Sequence, residues 1–397
     1  MLSRRSFLQG STLLALAPTV PGFLTRSVLA SAEASSDGRI LVVIQMDGGN
    51  DGINTVVPYA DDGYGANRKE LRLRTDGLIK IDGEAAFHPS MRAAADLLDD
   101  GRLAIVQGVG YPNPNRSHFR SMAIWHTARF EQEEHLNFGW AGRALDLSRR
   151  TVGADAIFVG SETLPVALRG RRSVASSMLH AEDLVLTAPI NPTTLLTGRG
   201  EGNDLKSFVQ RTVLDSYTTA DELSKAKGGD ESSTRYPETQ LAERLKLIAR
   251  LIKSGLPTRV YYAIQSGYDT HAVQLPGHAR LLNEFAGAVK ALVDDLAAAN
   301  LADRVAVMAF SEFGRRVQEN GSLGTDHGTA GPVFIAGTSV VAGLHGRMPR
   351  LLDLDDGGDL KLTVDFRQVY ATVIERWLGV SAQPVLDRTW EPLAIFR

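Results

Sequence analysis

The feature that most constrains this chain is an apolar run that does not alternate. Arg39-Ile-Leu-Val-Val-Ile-Gln-Met46 has the length of a strand, yet its consecutive residues are apolar, whereas a strand sends successive side chains to opposite faces. Such a run must be covered on both sides, which places it at the centre of a mostly parallel sheet sandwiched by helices. Leu103 to Val106, Gly153 to Val159, Arg259 to Gln265, Val305 to Phe310 and Val333 to Ala336 read as further strands. Helical patterns fall between them, at Pro89 to Leu98, Glu238 to Ser254 and Ala279 to Ala298, with a last helix from Asp365, a natural N-cap, to Leu378. The stretch from Arg39 through Pro89–Leu98 to Val106 reads as one βαβ unit, and the expectation is an α/β domain over residues 39–397. Residues 163–250 fit the pattern least. A short β-like piece at Val166–Arg169 and the polar stretch Lys225–Thr234 mark them as an insertion or cap beside the site.

Residues 1–32 stand apart from this fold. Ser3-Arg4-Arg5-Ser6-Phe7-Leu8 is a twin-arginine signature, followed by the apolar run Ser11 to Leu24 and a small-residue cleavage site at Ala30-Ser31-Ala32. The apolar run is broken by Pro18, Pro21 and Gly22 and is short for a bilayer, so no stable membrane span is expected after cleavage. The expected partner is the twin-arginine export machinery, and the expected location is the periplasm or the extracellular space. With 43 Lys and Arg against 46 Asp and Glu, and arginine pairs scattered, the chain offers no nucleic-acid surface. It has no cysteine. Thiolate chemistry is thereby excluded, and any metal must be held by Asp, Glu, His, hydroxyls or backbone oxygens.

Acids and histidines gather where the strands end. Asp47-Gly-Gly-Asn-Asp51-Gly52 follows the first strand, Tyr268-Asp269-Thr-His271 follows Gln265, and Ser311-Glu312-Phe-Gly-Arg315-Arg316 follows Phe310, with Asp326-His327-Gly328 ten residues further on. At the carboxyl edge of a parallel sheet these clusters converge in space. The candidate metal ligands are Asp47, Asp269, His271, Glu312, Asp326 and His327, with His345 as a last one and Asp51 as the weaker aspartate of its loop. His278 can take the place of His271, and Glu312 can instead hold Arg315 or Arg316. Ser117 opens a helix, where a hydroxyl either caps free N–H groups or acts as a nucleophile or ligand at the positive end of the dipole. Arg116 beside it either holds an anion bidentately or is solvated. His126 reads as structural. Oxygen and nitrogen ligands without sulfur suit Zn, Mg, Mn or Ca, one ion or two, and two bridged ions polarise an ester and activate a hydroxyl or water.

Leu41-Val-Val-Ile-Gln-Met-Asp-Gly-Gly-Asn-Asp-Gly-Ile-Asn-Thr-Val-Val-Pro58, Arg116-Ser-His-Phe119, Gly267-Tyr-Asp-Thr-His271, Ser311-Glu-Phe-Gly-Arg315 and Asp326-His-Gly-Thr-Ala330 together resemble the exported twin-arginine family DUF1501. That family is similar to the alkaline phosphatase and sulfatase superfamily, which implies an alkaline phosphatase-like α/β fold with a two-metal site. The resemblance implies Asp47 as the first metal aspartate, Ser117 as nucleophile, Asp326 and His327 as one ligand pair, Asp269 and His271 as the other, and His345 as the last histidine. This chain places one residue between Asp269 and His271 where the superfamily has three. The implied function is an exported metal-dependent hydrolase of phosphate or sulfate esters on small molecules or glycans, with Ser117 attacking and Arg116 or Arg315 steadying the anion. The alternative is a non-catalytic exported protein that binds an anionic glycan or a protein partner through a degenerate site.

Overall fold

The computed structural model describes residues 38–130, 137–148, 154–180 and 234–397; the twin-arginine stretch at residues 1–32 and, within the range expected to be an insertion or cap, residues 181–233 lie outside them. The main sheet has nine strands: β1 Ile40–Asp47, β2 Leu103–Gly110, β3 Ala156–Val159, β4 Ala175–Met178, β5 Val260–Ser266, β6 Val305–Phe310, β7 Gly331–Ala336, β8 Gly343–His345 and β9 Val364–Asp365. Six helices concern the site and its support: α1 Arg92–Asp99, α2 His118–Thr127, α3 Trp140–Leu147, α4 Gln240–Lys253, α5 Gln274–Ala298 and α6 Phe366–Thr372. The strand order is β8-β2-β7-β6-β1-β5-β3-β4, with β9 also pairing β2. β1 lies between β5 and β6 and is parallel to both, in the registers Leu41↔Val260 and Ile40↔Val305. β7 alone is reversed, antiparallel to β2 and to β6.

The non-alternating run does what its composition demands. Ile40, Val42, Ile44 and Met46 enter one core with Leu97 of α1, Leu245 and Ile248 of α4 and Leu282 and Phe285 of α5. Leu41 and Val43 enter the opposite core with Trp125 of α2, Trp140 of α3 and Tyr370 of α6. Each large aliphatic side chain so buried contributes about 1.5–3 kcal/mol, and β1 contributes to both layers at once. The mostly parallel, helix-sandwiched sheet read from the sequence is therefore the observed one. No helix among the described residues is long and apolar enough to cross a membrane.

Two local readings change. β1 and β2 are not neighbours, because β6 and β7 lie between them. The connection after β1 carries a small side sheet of Val56–Val57, Ala86–Phe87 and Ile79–Lys80, and this added length lets α1 and β2 step past two strand positions. Val166–Leu168 is a 3₁₀ turn rather than a β piece. It packs backbone to backbone on the start of α3, so closely that a Cβ on Gly139 would stand 2.1 Å from the Val166 carbonyl oxygen. The last helix begins as expected, with Asp365 and Gln368 forming a reciprocal capping box. His126 is half-buried in α2, with Nε2 3.0 Å from the Gln45 Oε1 atom, and desolvation of its ring takes its pKa down to about 4.

Asp51 is committed to holding the fold. Its carboxylate meets Arg68 at 2.7 Å, both side chains 0% exposed, and accepts from the Gln274 amide at 2.5 Å. Arg68 also donates to the carbonyls of Val317 and Arg316, at 2.7 and 2.8 Å, so the pair fastens the loop after β1 to α5 and to the segment after β6. Burial opposes the Asp51 charge, but the Arg68 guanidinium outweighs it and takes the pKa down to about 2. Since the folded pKa is depressed, the stabilisation is complete above the ordinary carboxylate value of about 4 and is lost as pH falls towards about 2. Arg68→Met leaves that carboxylate buried without a counter-charge, and urea denaturation at pH 7 should show a loss of about 3–5 kcal/mol. A midpoint equal to the parent's would contradict this account of the pair.

Candidate functional site

The topology explains why distant segments meet. β1, β5 and β6 run parallel, so Asp47, the Gly267–His271 loop and the Ser311–Arg316 loop leave the sheet at one edge. β7 is antiparallel, so the residues that precede it, Asp326 to Ala330, return to that same edge. The 311–330 segment closes on itself through Gly314 N–H to Thr329 O and Arg316 N–H to Asp326 O, at 2.9 and 3.0 Å. The two arms lie so close that a Cβ on Gly328 would be 2.4 Å from the Arg315 carbonyl carbon. From the end of β2 comes α2, set against this segment by Ser121 Oγ, which donates to the Glu312 carbonyl at 2.5 Å, and by Trp125 stacked on Phe310.

Arg315 joins the loops. Its side chain is 0% exposed and donates to the carbonyls of Gly49 (2.7 Å), Thr325 (2.8 Å), Tyr268 (2.9 Å) and Gly48, and to Asp269 Oδ1 at 2.7 Å. Gly48 fits between strands because it has no side chain: at φ +117° a Cβ would lie 2.5 Å from the Asp269 nitrogen. Burial works against the Asp269 charge, but the hydrogen bond and charge of Arg315 hold its pKa down to about 2.

Three imidazoles surround Asp269, each fixed through Nδ1. His327 Nδ1 lies 2.7 Å from the Arg116 carbonyl oxygen, which can only accept, so Nδ1 carries the proton and the neutral ring keeps its lone pair on Nε2. His118 Nδ1 lies 2.8 Å from Glu312 Oε1, and His271 Nδ1 lies 3.2 Å from Asp326 Oδ1. The Nε2 atoms of His271, His327 and His118 then stand 3.0, 3.1 and 3.5 Å from an Asp269 carboxylate oxygen. His271 Nε2 and His327 Nε2 are 2.9 Å apart, and the His118 and His327 rings cross at 4.3 Å. His118 Nε2 is buried and makes no hydrogen bond. The Glu312 hydrogen bond raises the His118 pKa.

This donor set fits a divalent metal. Atoms bound to one zinc-sized ion at about 2.0–2.1 Å stand about 3.3 Å from one another, the spacing seen around Asp269. Ligand atoms of His118, Asp269 and His327 all lie within 4.8 Å of one another. An unpartnered buried imidazole nitrogen aimed at a carboxylate and a second bare nitrogen is otherwise costly.

The remaining sequence candidates have other surroundings. Glu312 has a 0% exposed side chain and accepts from Gly48 N–H at 3.0 Å and Ser311 Oγ at 3.0 Å as well as facing His118. Asp326 also accepts from the Asn320 amide at 3.1 Å. Asp47 is half-buried and accepts from the Gln45 amide at 2.9 Å; burial and the nearby Glu312 charge raise its pKa. Ser117 is exposed at the start of α2, and its hydroxyl makes no capping hydrogen bond. Arg116 is 42% exposed, with Nη2 on the buried Asp359 carboxylate. His345 sits level with Val106 on the outer strand β8, short of the carboxyl edge of β2, with Nε2 2.6 Å from the Val341 carbonyl. His278 is buried against Asn50 Oδ1 at 3.0 Å, and burial takes its pKa down to about 4. The residue that sequence reasoning passed over is His118. Its signal was its position, the first helical residue after Ser117 at the edge where the strands end.

The family model described as "Protein of unknown function (DUF1501)" matches residues 199–388, a span that holds the Gly267–His271, Ser311–Arg315 and Asp326–Ala330 motifs. No sequence among the curated proteins matches the chain. Among solved structures, the PsFucS1 sulfatase from Pseudoalteromonas sp. is similar at 13% identity and a TM-score of 0.40, covering 91% of this chain and 73% of that one. The phosphonate monoester hydrolase of Agrobacterium radiobacter is similar at 10% identity and a TM-score of 0.37, over 89% of this chain and 78% of that one. The C-terminal periplasmic domain of EcEptC from Escherichia coli gives 9% identity and a TM-score of 0.35, over 76% and 74%. These are likenesses in the course of the chain, and none assigns a residue here.

Because Arg315 satisfies four carbonyls and one carboxylate at once, lysine cannot replace it. Arg315→Lys should lower stability by about 3 kcal/mol or more in urea denaturation at pH 7, through buried carbonyls left without donors. A loss below about 1 kcal/mol would show that the loops hold together without it.

Proposed function

We propose that this chain, which carries the DUF1501 signature over residues 199–388, is an exported metal-dependent hydrolase of phosphate or sulfate esters on small molecules or glycans. The observation that carries the reading is the pairing of a free hydroxyl with a prepared metal site. Ser117 Oγ, uncommitted and exposed at the N-terminus of α2, immediately precedes His118, whose Nε2 faces Asp269 and His327. One or two bound divalent ions, Zn, Mg, Mn or Ca, would supply Lewis-acid charge that polarises the ester and favours the ionised form of a nearby hydroxyl.

The chain's own groups do the rest. Ser117 Oγ gives its proton to solvent and bonds to phosphorus or sulfur as the bond from that atom to the ester's alkoxy oxygen breaks; the alkoxide takes a proton from solvent, and water then cleaves the ester on Ser117, releasing inorganic phosphate or sulfate and restoring the hydroxyl. The free N–H groups of the first turn of α2 receive the anionic oxygens. Arg315 has its guanidinium turned wholly inward, so the role of steadying the anion goes to Arg116, held by Asp359 and still 42% exposed. A metal held by Asp269 and the imidazoles would lie against His118, the residue next to Ser117, and Asp47 lies at the end of β1 near His118 and Glu312. The twin-arginine signature supports export to the periplasm or the extracellular space.

Ser117→Ala should lower turnover of aryl phosphate and aryl sulfate esters at least about a thousandfold while leaving bound metal unchanged, whereas His327→Ala should lower both. Elemental analysis of protein exported in its native host, alongside ester hydrolysis, makes the comparison. If neither ester class is hydrolysed by metal-loaded parent protein, the hydrolase reading fails and a binding role replaces it.

A further inference from the structure

We infer that the centre holds a single divalent ion, with His118, Asp269 and His327 as ligands and His271 completing the set from the exposed rim. Glu312 and Asp326 then act as hydrogen-bond partners of liganding histidines. The inference rests on the reading that this site binds metal, and is independent of whether it hydrolyses an ester.

Lone pairs separate the ligands from their supports. A neutral imidazole that donates from Nδ1 has one lone pair left, on Nε2, and in all three rings Nδ1 is already turned to an oxygen: the Glu312 carboxylate, the Asp326 carboxylate and the Arg116 carbonyl. An oxygen partner behind each ring is the outer layer that orients histidine ligands and raises their basicity. Asp269 is the carboxylate shared by all three Nε2 atoms, His118 on Oδ2 and the other two on Oδ1, and Arg315 fixes it by donating to Oδ1.

Glu312 is occupied on both oxygens. Oε1 receives Gly48 N–H and faces His118 Nδ1, while Oε2 lies 3.3 Å from the same Gly48 N and 3.0 Å from Ser311 Oγ, whose proton it shares with the Met46 carbonyl at 2.6 Å. Asp326 Oδ1 is shared between His271 Nδ1 and the Asn320 amide. Asp47, the carboxylate on which a second ion would depend, is held by Gln45, whose own Oε1 is fixed by Tyr262 O–H at 2.6 Å and lies 3.0 Å from His126 Nε2. Among the described residues, the group able to hold an ion is His118, Asp269 and His327, and it does not include Asp47.

The test titrates Zn²⁺, and separately Mn²⁺, into metal-free full-length protein by calorimetry. One equivalent is expected. Glu312→Gln and Asp326→Asn should each still bind one equivalent, about 10- to 100-fold more weakly. His118→Ala should lose far more. Asp326→Asn alters an exposed side chain, so its result stands even if the buried Glu312 variant misfolds. Two equivalents, one of them removed by Asp47→Asn, would overturn the inference and leave the hydrolase reading in place. So would either carboxylate variant losing metal as completely as His118→Ala. One equivalent without ester turnover would uphold the inference while the hydrolase reading falls, and no binding at all would end both.

Discussion

A guanidinium with no exposed surface is the point on which the carboxyl edge of the sheet depends. Arg315 takes carbonyls from the loops after β1 and β5 and from its own segment, and spends a further donor on Asp269. Backbone carbonyls that converge without donors repel one another and cannot be buried. The planar, five-donor geometry of arginine suits this task, since it meets oxygens from several directions with one rigid group. Because one of those oxygens belongs to Asp269, the contact that closes the loops also sets the orientation of the carboxylate around which the histidines gather. Stability and site geometry are thus coupled through a single side chain.

The Asp51–Arg68 pair has the same logic one layer deeper. Both pairs couple an aspartate that follows a strand to an arginine from elsewhere, and in both the burial cost of the carboxylate is met by a guanidinium that also satisfies backbone carbonyls. They differ in exposure. The Asp269 side chain keeps 49% of its surface and faces three imidazoles, while Asp51 has none and faces only structural groups. Two aspartates of similar sequence setting therefore divide between architecture and chemistry.

That division marks the limit of what the sequence makes legible. The two-sided burial of β1 follows directly from its unbroken apolar run, and the clusters after β5 and β6 are readable because Asp, Glu and His there have no other evident use. Asp326 and His327 reach the same edge only because β7 is reversed, a fact of pairing that no local pattern encodes. His118 is hidden for a different reason: at the first position of a helix a histidine has many ordinary roles, and its meaning comes from Glu312, 194 residues away. His345 shows the converse. The family resemblance invites a role for it, but register places it level with Val106 on an outer strand.

The reversal of β7 has one more consequence. Since β6 and β7 are adjacent and antiparallel, Glu312, Arg315, Asp326 and His327 belong to one hairpin-like excursion between neighbouring strands, and can find one another with little loss of loop entropy. His118 and Asp269 arrive only when the segments bearing α2 and β5 have docked on the sheet. The candidate site is therefore half local and half long-range: the segment between β6 and β7 can organise early, but His118 and Asp269 join it only when the whole edge has assembled. Ion capture would then act as a lock on completed folding, adding its binding free energy to a sheet already closed and none to one still open.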